Sequence, residues 1–119
     1  MIKIAVDEAY AFDMLSILEV KLEESYNTQN LRNFQDFAER IEDQIGVLLE
    51  EILASDEYNI LLKSNMEIFN AVNMAKKDII KASQVDNLNY ERWKAKNRLQ
   101  ERFFGSKTSE VKIGYGKQN

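Results

Sequence analysis

The clearest pattern in the chain is a set of mostly apolar positions that follow one another at alternating steps of three and four. The first run comprises Leu31, Phe34, Ala38, Ile41, Ile45, Leu48 and Ile52, and the second comprises Leu61, Asn65, Ile68, Val72, Ala75, Ile79 and Ala82. Such spacing, in a chain that contains no proline, is typical of helices that pack along a seam. We therefore predict two long heptad-patterned helices that pack against each other.

Polar segments divide the rest of the chain. The first helix is expected to start after an N-cap at Asp7 and to run to about Ser25, since Asp favours caps. Helices two, three and four are predicted at about 31–54, 57–82 and 88–104, with Thr28 or Asn30 capping the second and breaks at 55–57 and 83–87. Gly105 stands where a left-handed C-cap belongs. One continuous rod over 31–82, about 78 Å long at 1.5 Å per residue, is the alternative to two antiparallel helices.

The two ends of the chain alternate apolar and polar residues. This pattern at 2–6 and 110–115 is typical of short strands, which could pair with each other or with a neighbouring copy. The predicted fold is therefore mostly α. It is an antiparallel four-helix bundle with a small β-ribbon, in a single domain over residues 1–119.

Composition narrows the possible chemistry. The chain has no cysteine and no histidine. These absences rule out disulfides, thiolate metal sites and a Glu-x-x-His di-iron bundle. Residues 1–8 do not read as a signal peptide, and no apolar run approaches the roughly 18 residues of a membrane span. We expect a cytoplasmic protein, in the host cytoplasm if phage-encoded, with no cofactor and no membrane contact.

Charge is unevenly distributed. Residues 1–86 contain 8 basic and 17 acidic side chains, whereas residues 87–119 contain 8 basic and 3 acidic ones. Either the basic final helix lies against the acidic remainder, within the chain or across a dimer, or it binds an anionic partner. Its basic residues and its tryptophan are the candidates for an interface or an anion site: Arg92, Trp93, Lys94, Lys96, Arg98 and Arg102.

Asn65 is the one clearly polar residue within the second heptad run. A buried asparagine at such a position lowers stability but fixes helix register and partner number, often through pairing with another amide. A polar ligand pocket is the alternative.

Acidic residues follow one face of helix two. They are Asp36, Glu39, Asp43 and Glu50, with Glu42 and Glu51 beside them. All-helical nucleotide pyrophosphatases hold magnesium between two such acidic pairs, and Glu39-x-x-Glu42 could form the first. The second pair is missing, because Asn70 follows Glu67 at the required spacing. We therefore interpret these acids as a solvated face and assign no metal ligand.

The segment Val6–Lys21 resembles the opening of a family of short bacterial and phage helical proteins known only as a domain of unknown function. There a strand leads into a helix reading roughly Val-Ser-x-Gly-Glu-Leu-x-Asp-Lys-x-Thr-Ile-Leu-x-Ile-Lys. The residues that fit are Asp13, Ser16, Ile17, Leu18, Val20 and Lys21, with looser similarity at Asn65-x-x-x-Phe69, Asn89-x-x-Arg92, Gly105-Ser106 and Glu110-x-Lys112-x-x-Tyr115. Tyr10 and Met14 replace a Glu and a Lys of the pattern. The resemblance implies a strand, four helices and a final strand, and no activity.

The residues assemble no catalytic group. We expect a non-enzymatic interaction or adaptor protein that binds an unknown protein partner. We also expect it to form a homo-oligomer, because apolar residues such as Phe37, Leu49 and Leu62 lie beside the two seams. An anion- or nucleic-acid-binding module that uses helix 88–104 is the first alternative. Nucleic acid is disfavoured because the acidic part of the chain repels a polyanion. A metal-dependent nucleotide hydrolase is the second alternative.

Overall fold

A computed structural model describes residues 1–76 and 81–105 of the chain. Five helices account for most of these residues: α1 (Glu8–Glu24), α2 (Thr28–Ile45), α3 (Leu48–Leu53), α4 (Asp56–Lys76) and α5 (Ala82–Phe104). The predicted mostly helical class is therefore confirmed. None of the helices in the described part is both long and apolar enough to cross a bilayer.

Helix α1 lies at the centre of the packing. It contacts α2, α4 and α5, and its residues Ala9, Phe12 and Leu15 are at most 1% exposed. Helix α2 packs chiefly on α1, and α4 packs on α5 and α1. The two heptad-patterned segments therefore do not pack chiefly against each other, although α3, which carries the end of the first run, contacts α4. Helices α2 and α4 each pack against α1, and α4 also packs against α5, so apolar residues on one helix face more than one neighbouring helix.

The heptad pattern nevertheless identifies buried positions. Every residue of the first run is buried or half-buried. In the second run Leu61 and Asn65 are buried, Ile68 is half-buried and Val72 is 37% exposed. The extra apolar residues Phe37, Leu49 and Leu62 belong to the core or pack against it. Leu49 is buried, whereas Phe37 and Leu62 are half-buried and keep part of their surface exposed.

Helix two is shorter than the sequence predicted. It begins at Thr28, with Asn27 as the N-cap whose side chain accepts a hydrogen bond from the Asn30 backbone N–H at 2.8 Å. It ends at Ile45, because Gly46 adopts a φ of 64°, which glycine tolerates and other residues rarely adopt. This turn and a second break after Leu53 rule out the continuous rod over 31–82.

The break at 55–57 occurs as predicted, and the break at 83–87 does not. Ser55 Oγ accepts from the Tyr58 backbone N–H at 3.1 Å and caps α4, because serine satisfies an otherwise unpaired N–H there. Helix α5 already begins at Ala82, where the Gln84 side chain accepts from the Lys81 backbone N–H at 3.0 Å. Gly105 ends α5 in the left-handed conformation, with φ 69°.

The predicted amino-terminal strand is absent. Residues 2–6 have no regular secondary structure, and none of the described residues forms a strand. The second predicted strand, at 110–115, lies outside the described residues. Helix α1 starts at Glu8, directly after Asp7 in the N-cap position, as expected.

Candidate functional site

A cluster of polar side chains is buried where α1, α4 and α5 meet. Asp13 and Ser16 come from α1, Asn65 from α4 and Arg92 from α5. Asp13 is 1% exposed, Ser16 0% and Asn65 5%. Buried polar groups of this kind require partners, since each unpaired one costs about 1–3 kcal/mol.

Arg92 and Asp13 form a two-pronged ion pair. Arg92 Nε donates to Asp13 Oδ1 at 2.9 Å, and Nη2 donates to Oδ2 at 2.5 Å. The planar guanidinium matches the two carboxylate oxygens, which makes such pairs stronger and more directional than single contacts. The Asp13 side chain is 2% exposed and the Arg92 side chain 26%, so the pair is largely shielded from solvent.

Asn65 completes the cluster. Its Nδ2 donates to Asp13 Oδ1 at 2.9 Å and to Ser16 Oγ at 2.6 Å, which accounts for both of its side-chain N–H bonds. The Ser16 hydroxyl donates in turn to the Asp13 backbone oxygen at 2.7 Å. The partners of Asn65 are therefore a carboxylate and a hydroxyl on α1, in place of another amide.

This geometry suits a structural role better than a chemical one. Both oxygens of Asp13 accept hydrogen bonds, and its side chain has almost no solvent contact. A general base must reach the proton that it removes. With its oxygens engaged and its surface covered, Asp13 instead ties α1 to α4 and α5.

Gln100 makes a second buried connection between α1 and α5. Its Oε1 accepts from the Ala9 backbone N–H at 2.8 Å, and its Nε2 donates to Glu8 Oε1 at 2.9 Å. Because the Asp7 side chain makes no capping hydrogen bond, Gln100 satisfies a first-turn N–H that the helix itself leaves unpaired. No local sequence signal marks this residue, since the contact spans 91 positions.

Tyr58 and Glu19 form a further polar pair, between α4 and α1. The Tyr58 hydroxyl donates to Glu19 Oε1 at 2.9 Å. Burial raises the pKa of Glu19, the hydrogen bond from Tyr58 partly offsets this, and Glu23 adds to the rise. Burial also raises the pKa of Tyr58, and the nearby charge of Glu19 raises it further. The Tyr58 hydroxyl is thus disposed to remain protonated, and Glu19 takes up its proton at a higher pH than an ordinary glutamate.

The cations of α5 do not form one row. Arg92 pairs with Asp13, Lys94 pairs with Glu91 at 2.9 Å, and Arg102 pairs with Glu57. Lys96 is 3% exposed and its Nζ lies 6.0 Å from the centre of the Tyr10 ring. Arg98 is exposed, and Trp93 is half-buried with its ring 5.7 Å from that of Tyr90. The residues predicted to form an anion site therefore lie in several different environments.

The acidic face of helix two is solvated. Asp36, Glu39, Asp43 and Glu50 are all exposed. Across residues 1–76 and 81–105, no three acidic side chains come together closely enough to hold a metal ion. Three of these residues, Asp36, Glu39 and Asp43, line an open groove of about 670 Å³ between α1 and α2.

Comparison with protein-family models, with curated proteins and with solved structures finds no match to this chain. The resemblance stated above thus remains a prediction. Four of the residues that carry it, Asp13, Ser16, Asn65 and Arg92, are the members of the buried cluster.

Proposed function

We propose that the chain is a non-enzymatic interaction module that self-associates. The observation that carries this proposal is the exposure of apolar side chains at the amino terminus. Ile2 is 87% exposed, Ile4 76% and Val6 53%. Covering apolar surface of this kind releases about 25 cal/mol per Å², and a second copy of the chain is a partner that is always present.

The spacing of these residues favours pairing between backbones. Ile2, Ile4 and Val6 alternate with polar or small residues, a pattern typical of a strand, yet residues 2–6 form none in the described chain. A segment of this kind gains ladder hydrogen bonds when it lies beside an extended segment of another molecule. We therefore propose that residues 2–6 become a strand when two copies associate.

The interior of the protein is consistent with this role. The buried cluster at Asp13 is occupied by its own neighbours, so it supports a rigid framework and offers no reacting group. A binding module needs a stable surface, and a framework that fixes the relative positions of α1, α4 and α5 supplies one.

Sedimentation velocity of a double variant, Ile2→Ser with Ile4→Ser, tests the proposal. We expect the variant to sediment as a monomer at concentrations where the unaltered chain is dimeric or larger. Tyr26→Ser is the matched control, because Tyr26 is also 76% exposed but lies at the other end of α1. Equal sedimentation of all three proteins would contradict a role for the amino-terminal segment.

Binding of an anion by helix 88–104 is less well supported. Three of its five cations are paired with carboxylates of the same chain, and a fourth, Lys96, is almost fully buried. A polyanion would have to displace those carboxylates before the cations of this helix could neutralise its phosphates.

A further inference from the structure

The groove between α1 and α2 has an apolar floor. Met14 and Leu18 of α1 and Phe37 of α2 line it, and all three side chains are half-buried. Phe37 lies beside the heptad stripe of α2 and packs against the core with part of its surface. The remainder of these three side chains is apolar surface that a ligand can cover.

The rim of the groove is acidic. Asp36, Glu39 and Asp43 line it from α2, together with the single cation Arg40. All four are exposed, so their charges lie at the groove mouth and not beneath it. These charges come from α2 alone, so the groove has an apolar floor with one net negative edge, which is complementary to a molecule that is apolar on one side and positively charged along one edge.

Its shape narrows the class of ligand further. The lining residues of α2 run from Asn33 to Asp43, which spans about 15 Å at 1.5 Å per residue. This length matches about three turns of a partner helix. A groove between two helices is a common binding site for an amphipathic helix, which inserts its apolar face into the groove.

We propose that this groove binds a cationic amphipathic helix of a partner protein. The proposal rests on the proposed function, because it names one kind of partner for an interaction module. Apolar residues of the partner cover Met14, Leu18 and Phe37. Its lysines or arginines lie opposite Asp36, Glu39 and Asp43. A divalent cation is not the ligand, since these acids do not converge on one point within the described chain.

The test uses a labelled synthetic helix of about 14 residues, with leucines on one face and lysines along one edge of that face. Fluorescence anisotropy at about 150 mM salt is expected to show saturable binding to the full chain. A peptide with glutamates in place of its lysines should not bind, since it meets a rim of like charge.

Variants of the protein locate the site. Asp36→Asn with Asp43→Asn is expected to weaken binding about fivefold to tenfold, because two exposed ion pairs are lost. Glu50→Gln with Glu51→Gln removes the same charge from α3, outside the groove, and should change affinity less than twofold. Equal weakening by both pairs would mean non-specific attraction to an acidic protein. That result would overturn the proposal, as would absence of binding to the unaltered chain.

Two further outcomes separate this proposal from the proposed function. Peptide binding that persists in the Ile2→Ser, Ile4→Ser variant would support a groove that acts independently of self-association. A different outcome is that the Asp36→Asn, Asp43→Asn variant is monomeric at concentrations where the unaltered chain is oligomeric. In that case the occupant of the groove is a second copy, and the partner-helix proposal is overturned. Self-association without peptide binding would leave the proposed function standing alone.

Discussion

Arg92 and Asp13 lie 79 residues apart in the sequence, and the guanidinium of the first holds both carboxylate oxygens of the second. The pair joins α5 to α1, and Asn65 brings α4 into the same cluster. Three helices are therefore held by directional contacts in addition to apolar packing. Such contacts favour one arrangement of the helices over other arrangements that would bury a similar apolar area.

Removing the charge of Asp13 should destabilise the protein strongly. Asp13→Asn leaves the largely shielded Arg92 guanidinium without its counter-charge, and loss of one partner of a buried pair costs about 3–5 kcal/mol. Urea unfolding followed by circular dichroism measures this free energy. Asp86→Asn, at an exposed position early in α5, is the control and should change stability by less than about 0.5 kcal/mol. Equal stability of both variants would contradict a structural role for the pair.

Asn65→Leu should lower the free energy of unfolding by about 1–3 kcal/mol. The heptad pattern alone predicts higher thermal stability or a changed oligomer state for this variant, because leucine removes the desolvation cost of a poorly paired asparagine and frees the helix register. In the structure both side-chain N–H bonds have acceptors, and leucine would leave the Ser16 hydroxyl oxygen and Asp13 Oδ1 with one donor fewer each. Thermal unfolding of Asn65→Leu and of the exposed control Asn70→Leu decides the sign. A higher melting temperature for Asn65→Leu would refute the hydrogen-bonded cluster.

Tyr58 should make the fold sensitive to alkaline pH. Its pKa is raised in the folded state, so its contribution to stability is complete below the unfolded value of about 10 and is lost as the pH rises above it. Urea unfolding between pH 9 and 11 should therefore show a shallower loss of stability in Tyr58→Phe than in the unaltered chain. Tyr26→Phe, at a 76% exposed position, serves as the control. Identical slopes in all three proteins would contradict this role of Tyr58.

The same pair predicts a change at Glu19. Tyr58→Phe removes the hydrogen bond that lowers the pKa of Glu19, while burial and Glu23 continue to raise it. We therefore expect the Glu19 pKa to rise further in the variant, as measured by carbon-detected NMR titration of its carboxyl group. Because a raised folded pKa gives stability at low pH that is lost as the pH rises through it, the variant should be relatively more stable in acid. A fall in the Glu19 pKa would exclude the contact.

Single-stranded nucleic acid should not bind at about 150 mM salt. Arg92, Lys94 and Arg102 are already paired with carboxylates, so few cations remain for phosphates. Anisotropy of a labelled oligonucleotide, titrated with protein at low and at physiological salt, measures the interaction. A salt-sensitive complex in the low micromolar range at physiological salt would favour the anion-binding alternative.

Local signals in the sequence predicted local structure well. Ser55 and Gly105 mark helix ends because each satisfies a requirement of the backbone within a few residues. Gly46 is a local feature of the same kind, since it ends α2 with a φ of 64° inside the first heptad run. The amino-terminal alternation predicts a strand. A strand also needs a second strand to pair with, and residues 2–6 have no such strand among the described residues.

The sequence did not predict the contacts between helices that are far apart along the chain. Asn65 stands out because it is polar at an apolar position, whereas Asp13 and Ser16 are marked only by the family resemblance, which does not identify them as its partners. Arg92 resembled the other cations of its helix, and only packing distinguishes the arginine that meets α1 from the exposed Arg98. Gln100 gave no signal at all, since a glutamine that caps another helix looks like any surface glutamine.

Light scattering of the unaltered chain over a wide concentration range tests self-association most directly. The account predicts a mass of at least about twice 13.9 kDa at high micromolar concentration, falling toward the monomer on dilution. A constant mass near 13.9 kDa at every concentration would contradict it.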